Sequence, residues 1–402
     1  MSGSRLALAS LCCVLFLASI NRQSSAEDLE KGIPPAKSAN LIRLILPPVI
    51  HAVPGIEANI YFDNICLTVN PRNYAFDVHC SRGKQQDERW TFTAAETDVG
   101  DHLLTIDVRN EQNQIVAQAK TIVRVVPAKS GDGQAMSLLC IGDSLTHASV
   151  YPDRILAMCA AAGNPKLELI GSHWVGTTPG PVRHEGYGGW TALRFATHFT
   201  EMARSGEYSK RGSPFLYAQP DGKPKLDFLR YCQDVNAGKT PSHVTIFLGP
   251  NDIFSYDDTT IEAGIDKMLS HFDQIVEMIR SASPMTRLGV MLPVPPAATQ
   301  DAFGSNYTSG QTRWQYKRNQ HRLVERMVEK YSTRESDRIE LISTYVGLDC
   351  ANNYPIEKVV ANARSTTTIT RQNNGVHPSE SGYGQIADSV YAWLKSTSKN
   401  ER

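Results

Sequence analysis

Beyond residue 135 the chain alternates short apolar runs with longer segments of helical periodicity, and this alternation restricts the possible folds most. The runs are bounded by polar or turn-forming residues and cover 138–141, 167–170, 244–248, 288–292 and 339–342. Short buried strands that alternate with helices are typical of βαβ units, in which helices cover both faces of a parallel sheet. The sequence therefore predicts an α/β fold in which ligands bind at the carboxyl ends of the strands.

The helices of this region are predicted from the spacing of apolar residues. The clearest covers 259–281, where apolar residues recur every three or four positions. Others are predicted at 152–162, 314–330 and 382–394.

Residues 41–126 show a different pattern, with short β segments separated by turn signals. Candidate strands cover 58–62, 66–69, 74–79, 102–108 and 115–126. Strands at this spacing favour a small all-β sandwich of the immunoglobulin-like type. Residues 128–134 are small and polar, as in a linker. We therefore expect a β-sandwich domain at 41–127, a linker at 128–134 and an α/β domain at 135–398.

The N-terminus has the order of features found in secretory signal peptides. Arg5 precedes an apolar stretch at 6–20, and small residues end at Ala26. The apolar stretch is shorter than the roughly 20 residues of a membrane-spanning helix. We predict a cleaved signal peptide at 1–26, a flexible leader at 27–40, and a secreted or periplasmic protein without a stable membrane anchor.

Charge and cysteine content restrict the partners. The 41 Lys and Arg residues balance the 41 Asp and Glu residues, so no basic field would recruit nucleic acid or an anionic membrane. Six cysteines follow the predicted signal peptide, at spacings that match no zinc pattern. Export permits disulfides, and a bridge between Cys66 and Cys80 is one option, but the sequence leaves the pairing open.

The first polar cluster with potential chemistry comes directly after the predicted strand at 138–141. There Ser144 would expose its hydroxyl at the edge of the sheet. A serine hydroxyl becomes an effective nucleophile when an adjacent base takes its proton. The structural alternative is a turn in which Asp143 and Ser144 cap the next helix.

Two further clusters complete a constellation. Asn251 follows the predicted strand at 244–248, where its NH₂ group can stabilise a developing oxyanion, although 249–252 also fits a polar turn. His377 lies in a loop between Gly375 and Pro378, where an imidazole is held and can still exchange protons. Each cluster alone fits a structural role, but their joint occurrence in this order is far less likely by chance.

Residues from about 136 to 396, which contain the polar blocks at 142–145, 249–252 and 374–378, resemble an SGNH (GDSL-type) hydrolase. The resemblance implies a three-layer, flavodoxin-like α/β/α domain, with Ser144 as nucleophile and His377 as its base. It also implies an oxyanion hole made by the N–H groups of Ser144 and Gly189 and the side chain of Asn251, with Gly186 as the alternative to Gly189.

The second block, HEGYGGWT at 184–191, is similar to that of SGNH carbohydrate acetylesterases. This similarity implies removal of acetyl or other short acyl groups from an acetylated polysaccharide or oligosaccharide, without a metal or cofactor. Asp143, His184 and Trp190 are candidate substrate-binding residues.

One position departs from the family pattern. SGNH hydrolases usually carry Asp three residues before the catalytic histidine, where this chain has Asn374. An amide oxygen can accept a hydrogen bond from the imidazole but carries no charge, and the corresponding Asp-to-Asn change in a serine protease lowers the rate by about 10⁴. Either Asn374 orients His377, or another acid such as Glu380 or a backbone carbonyl does so, or activity is lost.

Two other functions stay open. A lipase or thioesterase on the same scaffold would need an apolar acyl tunnel, against which the polar and aromatic second block argues. A non-catalytic glycan-binding protein with a vestigial hydrolase domain would account for Asn374, and an intact hydrogen bond between Ser144 and His377 would count against it.

Overall fold

The computed structural model describes residues 42–174, 176, 178–202 and 210–398. The predicted signal peptide and leader lie outside these residues. Within the described ranges, no helix is long and apolar enough to cross a membrane. The cysteines at 66, 80, 140, 159, 232 and 350 are free thiols.

The first part of the described chain is built from strands, one α-helical turn and two 3₁₀ turns (Pro71–Asn73 and Glu96–Asp98). In chain order, its strands and α-helical turn are β1 (Val49–Ala52), β2 (Glu57–Tyr61), α1 (Phe62–Ile65), β3 (Ala75–His79), β4 (Lys84–Gln85), β5 (Arg89–Thr93), β6 (Gly100–Arg109) and β7 (Ile115–Val125). They form two sheets, β1-β7-β6-β3 and β2-β5-β4, in which only β1 and β7 pair in parallel. Trp90 of one sheet and Ile106 of the other belong to one buried cluster, as expected of two sheets packed face to face. The predicted all-β fold of this region is confirmed.

The strand predicted at 66–69 is wrong. Only Cys66 makes an isolated bridge, to Leu44, because the chain has just left α1 and Val69 is exposed. The sequence analysis also missed three strands. Two of them, β1 and β4, are only four and two residues long, and β5 has a single alternating pair of buried apolar residues, Trp90 and Phe92.

The second part of the chain alternates strands and helices. Its elements are β8 (Ala135–Gly142), α2 (Ser144–His147), α3 (Val150–Cys159), β9 (Lys166–Ile170), β10 (Glu185–Gly186), α4 (Ala192–Thr197), β11 (Leu216–Ala218), β12 (Pro224–Leu226), α5 (Phe228–Asn236), β13 (His243–Phe247), α6 (Pro250–Ile253), α7 (Ile261–Ala282), β14 (Arg287–Met291), α8 (Gln300–Tyr307), α9 (Arg313–Tyr331), β15 (Ile339–Ile342), β16 (Ile356–Val360), β17 (Thr368–Gln372) and α10 (Glu380–Ser396).

Six of these strands form one parallel sheet. Its order is β10-β8-β13-β14-β15, and β9 pairs with β8 on the β10 side. This is the flavodoxin-like 2-1-3-4-5 order. The predicted parallel sheet is confirmed, and each of the five apolar runs coincides with one of its strands, with the runs at 244–248 and 288–292 extending one residue past β13 and β14.

Side chains alternate between the two faces of the sheet and fill two buried clusters. Leu138 and Cys140 pack on the side of α3 and α10. Leu139 and Ile141 pack on the side of α7 and α9, in the cluster that also contains the core of the β-sandwich. The result is the predicted three-layer α/β/α arrangement, joined to the sandwich by a shared apolar core.

The strand order reverses between β8 and β13, and this reversal positions the candidate site. In open α/β sheets the crevice beyond the carboxyl ends of the strands at such a reversal binds ligands. Ser144 follows β8 and Asn251 follows β13, so the fold brings these two blocks to one edge.

Candidate active site

Ser144 is the first residue of α2, directly past the end of β8. The preceding Asp143 caps this helix, since its Oδ1 accepts a hydrogen bond from the N–H of Leu145 at 3.0 Å. The turn requires glycine at Gly142, because a Cβ there would lie 2.0 Å from Oγ1 of Thr146. As a result, Ser144 is half-buried at the sheet edge, and its N–H is among the helix-start donors that lack an intrahelical acceptor.

His377 lies within hydrogen-bonding distance of this serine. Its Nε2 is 2.8 Å from the Oγ of Ser144. Burial lowers the pKa of His377 below its ordinary value, so the imidazole is neutral at neutral pH. To accept the hydroxyl proton at Nε2, the neutral ring carries its own proton on Nδ1. This is the arrangement of an activated serine nucleophile.

Asn374 has a different position from the one expected. Its Oδ1 accepts hydrogen bonds from the N–H groups of Val376 at 3.1 Å and His377 at 2.9 Å. Across the described residues, no hydrogen bond joins the imidazole to Asn374 or to Glu380, which is exposed at the start of α10. Of the alternatives that the sequence leaves open, orientation of the ring by Asn374 has no hydrogen bond to support it among the described residues, because the amide oxygen binds the loop backbone.

The Asn251 side chain connects the block that contains Ser144 with the second block at 184–191. Its Nδ2 donates to the carbonyl of Trp190 at 3.1 Å and lies 3.3 Å from Oδ2 of Asp143. One N–H of the amide is thus anchored, and the other, on the longer contact, lies beside the residue that precedes Ser144. An amide in this position can turn toward an oxyanion formed at Ser144.

The geometry favours the N–H of Gly189 over that of Gly186 as the second hydrogen-bond donor to an oxyanion. The N–H of Gly186 donates to Nδ1 of His184 at 3.0 Å, so it is already used. Gly189 has a φ of 72°, and within the described ranges its N–H makes no backbone hydrogen bond. Gly189 is therefore the donor compatible with an oxyanion hole.

Two buried carboxylates lie behind the site. Burial raises the pKa of Asp143 to about 7, and a hydrogen bond from Leu145 opposes the shift. Burial likewise raises the pKa of Asp252 to about 7. Asp252 accepts hydrogen bonds from the N–H of Ala192, at 3.0 Å to Oδ1, and so fixes the start of α4 directly after the second block.

The three candidate substrate-binding side chains are buried, with Asp143 and Trp190 each 1% exposed and His184 0% exposed. Trp190 packs against Tyr187, with ring centroids 4.5 Å apart, because β10 draws the second block onto the edge of β8. Buried side chains present no surface to a polysaccharide. In this structure His184 binds the backbone of the second block at Gly186, Asp143 caps α2, and Trp190 packs in the core.

Two supports of the histidine loop carried no sequence signal. The N–H of Gly375 donates to Oδ1 of Asn306 at 3.0 Å, and its carbonyl accepts from the N–H of Ala297 at 3.1 Å. Asn306 lies 69 residues away in the chain and Ala297 about 80, and only the fold brings them to the loop. In the described part of the chain, no group of three or more His, Cys, Asp or Glu residues is placed to hold a metal ion.

Residues 138–390 match the profile of the GDSL-like lipase/acylhydrolase family. A search of curated proteins found no match. Similar solved structures include a family 3 carbohydrate esterase from Clostridium thermocellum, with 15% identity, a TM-score of 0.38, and coverage of 64% of this chain and 94% of that chain.

A family 3 carbohydrate esterase from Talaromyces cellulolyticus has 15% identity and a TM-score of 0.37, with 64% of this chain and 96% of that chain covered. A possible lipase from Chitinophaga pinensis DSM 2588 has 14% identity and a TM-score of 0.35, with 65% and 98% covered. The family assignment rests on the profile match, which spans more than half of the chain and contains Ser144, Asn251 and His377. The chain belongs to the GDSL-like lipase/acylhydrolase family.

Proposed function

We propose that this protein is a secreted serine esterase that removes acetyl or other short acyl groups from carbohydrate. The observation that carries the hydrolase assignment is the 2.8 Å contact between Nε2 of His377 and Oγ of Ser144. It joins residues 233 positions apart in the chain, at the edge where an α/β sheet binds its ligand.

The reaction is a two-step acyl transfer. Nε2 of His377 takes the proton of Ser144 as Oγ attacks the ester carbonyl, and the N–H groups of Ser144 and Gly189 with Nδ2 of Asn251 stabilise the oxyanion. The alcohol leaves with the proton from His377. Water then gives its proton to the same nitrogen and attacks the acyl-enzyme, which releases the carboxylic acid and restores Ser144.

Two observations support a short acyl group on a carbohydrate. The second block is similar in sequence to that of carbohydrate acetylesterases. Its large aromatic side chains, Tyr187 and Trp190, are packed in the core against Phe195, so they do not line a tunnel for a long acyl chain. The signal-peptide pattern at 1–26 supports export to a compartment that contains extracellular polysaccharide.

A second serine–histidine pair lies near the second block. Because its histidine cannot act as a base, this pair is a control for the assignment of Ser144 as the nucleophile. Oγ of Ser149 is 2.7 Å from Nε2 of His184. Burial lowers the pKa of His184 to about 3, and its Nδ1 accepts the N–H of Gly186. The proton of the neutral ring is therefore on Nε2, which donates to Ser149 and cannot act as its base.

The test is release of acetate from acetylated xylan, acetylated pectin and 4-nitrophenyl acetate by the mature protein. We expect release by the wild type, its loss in Ser144→Ala and His377→Ala, and retention in Ser149→Ala. A preference for 4-nitrophenyl octanoate over the acetate would replace the carbohydrate proposal by a lipase or thioesterase. No hydrolysis of any of these esters would favour the vestigial glycan-binding protein.

A further inference from the structure

We propose that α1 of the β-sandwich positions the catalytic histidine, through Asp63 and Asn64. This inference rests on the proposed roles of Ser144 and His377. It assigns the N-terminal sandwich a part in the geometry of the active site.

The histidine loop, residues 373–379, lies on two other loops of the α/β part. The loop after β14 contributes the N–H of Ala297, which donates to the carbonyl of Gly375 at 3.1 Å. The loop after β15 contributes two carbonyls: that of Pro355 accepts from the N–H of Asn373 at 3.0 Å, and that of Asn353 from the N–H of Ser379 at 2.9 Å. The path of these loops therefore sets the backbone position of His377.

Asp63 reaches the first of these loops through Arg313. Its Oδ2 accepts from Nη2 of Arg313 at 3.0 Å, while Nε of the same guanidinium donates to the carbonyl of Ala297 at 2.9 Å. Its Oδ1 pairs with Nζ of Lys317 at 2.5 Å, and the Lys317 side chain is only 1% exposed. A nearly buried ammonium needs a counter-charge, so Asp63 fixes both cations at the start of α9.

Asn64 reaches the second loop directly. Its Nδ2 donates to the carbonyls of Leu348 at 2.8 Å and Val346 at 3.3 Å. Its Oδ1 accepts from Sγ of Cys350 at 3.3 Å, and the carbonyl of Cys350 accepts from the N–H of Ala298 at 3.1 Å. The two adjacent residues of α1 thus hold two loops that are also bonded to each other.

The contacts of Asp63 and Asn64 matter for catalysis because, among the described residues, no side chain orients the imidazole of His377. The ring position depends on the backbone of the loop, and the loop depends on its two supports. A displacement of the loop would weaken the transfer of the Ser144 proton more than the binding of substrate. Asp63 and Asn64 are positioning residues, and loss of their contacts should lower kcat with little change in KM.

The experiment compares Asp63→Asn with Arg43→Gln in the protein without the predicted signal peptide, residues 27–402. Arg43→Gln removes another ion pair between the N-terminal region and α9, with Glu325 at 3.0 Å, which does not touch either loop. The readouts are kcat and KM for 4-nitrophenyl acetate, the rate at which a fluorophosphonate labels Ser144, and amide hydrogen exchange of peptides that cover 373–379.

We expect Asp63→Asn to lower kcat and the labelling rate between about 10- and 100-fold, as for a small misplacement of a catalytic group, and to speed exchange in the histidine loop. Arg43→Gln should change none of the three, and Asp63→Glu should restore part of kcat. Unchanged exchange and kcat in Asp63→Asn, or equal effects of Arg43→Gln, would overturn the inference.

Two further arms keep the result decisive. If Asp63→Asn does not fold, Arg313→Lys carries the test, because it keeps a charge opposite Asp63 and removes the Nε donor to Ala297. If the wild type is neither labelled nor active, the proposed function has failed, while hydrogen exchange still reports whether α1 supports the loop.

Discussion

Asn374 binds the backbone of His377 and not its imidazole: its Oδ1 lies 2.9 Å from the N of His377 and 3.1 Å from the N of Val376. The residue at this position therefore shapes the loop that carries the base. An acid at this position usually also orients the imidazole and stabilises the imidazolium. Among the described residues, no side chain makes the hydrogen bond to the imidazole that this would require. On the proposed function, the site is a serine–histidine dyad on a loop held by backbone hydrogen bonds.

Asn374→Asp should convert this dyad into a triad. An aspartate can keep the backbone hydrogen bonds with one oxygen and offer the second to Nδ1 of His377. Its charge would raise the pKa of His377, which burial lowers in the wild type, and would stabilise the imidazolium. We expect kcat to rise at least about tenfold, part of the factor of about 10⁴ that the reverse change costs a serine protease.

The pH–rate profile checks the mechanism of this gain. The wild type should keep its base form to a pH below the ordinary histidine value, and the acidic limb of kcat/KM should move to higher pH in Asn374→Asp. Asn374→Ala, which loses both backbone hydrogen bonds, should lower kcat. A gain in rate without a moved acidic limb would show that the new carboxylate does not act on His377.

Asn251→Ala should lower kcat by about 10² to 10³ with a small change in KM, the effect of losing one side-chain oxyanion donor. The amide is anchored on Trp190, so a small turn of its second N–H, from Asp143 toward the oxyanion, is enough to supply the donor that the substitution removes. Steady-state kinetics with 4-nitrophenyl acetate measure the effect. Asn236→Ala, at the end of α5 with its side chain bonded to Lys239, is the control and should keep wild-type kcat. An equal loss of kcat in both variants would contradict the assignment.

The parallel sheet was predictable because its strands are buried on both faces, which leaves continuous apolar runs in the sequence. The positions of Ser144 and Asn251 followed, since parallel strands bring their carboxyl ends to one edge. In the β-sandwich the strands apart from β6 and β7 have five residues or fewer, so β5 offered only one alternating apolar pair, and the apolar stretch at 66–69 was misleading.

The surroundings of the site were not predictable in the same way. Trp190 and His184 have residue types that suit sugar binding, but the pairing of β10 with β8 buries them. Asn306 and Ala297 hold the histidine loop through contacts that arise only after the whole sheet has formed. The role of Asn374 depends on which way one amide points, and neither composition nor spacing encodes that.

Gly186→Ala and Gly189→Ala should differ in their effects, although both lie in the second block. A Cβ at Gly186 would meet backbone atoms of α2, with N of His147 at 2.6 Å, and would push the helix that begins with Ser144. At Gly189 a Cβ meets nothing within 4 Å, so only its positive φ opposes the change, at a cost of about 1–2 kcal/mol.

Thermal unfolding and kinetics distinguish the two glycine variants. We expect Gly186→Ala to lose most activity and to show the larger fall in Tm. Gly189→Ala should fold, with a Tm lowered by a few degrees and a reduced kcat, and Gly189→Asn should recover part of the lost stability because Asn tolerates positive φ. Equal losses at the two positions would contradict the distinct roles assigned to these glycines.

Buried histidines should make the fold sensitive to acid, and His243 is the clearest case. It is 4% exposed, its Nε2 lies 3.1 Å from Oγ1 of Thr397, and its ring packs edge-on against Trp393. Burial, assisted by Arg287, lowers its pKa from 6.5 to about 3. The folded state therefore holds His243 neutral over a range in which the unfolded chain takes up a proton.

The sign of the pH effect follows from this linkage. The contribution of His243 is complete above pH 6.5 and is lost as the pH falls toward 3, at about 1.4 kcal/mol per pH unit. In His243→Gln the titrating group is absent, so the variant starts with a lower Tm at pH 7.5, through lost packing, and approaches the wild type as the pH falls. Asp143 and Asp252, with raised pKa values, act in the opposite direction but equally in both proteins.

Calorimetry at pH 7.5, 6.5, 5.5 and 4.5 measures this convergence. Val390→Ala creates a cavity in the neighbouring α10, at a side chain that is 0% exposed and does not titrate, so its Tm should stay below the wild-type value by a constant amount. Parallel curves for wild type and His243→Gln would show that His243 takes up its proton in the folded state. In that case the acid limit of stability would have to come from other buried groups, with His184, whose pKa burial also lowers to about 3, as the next to replace.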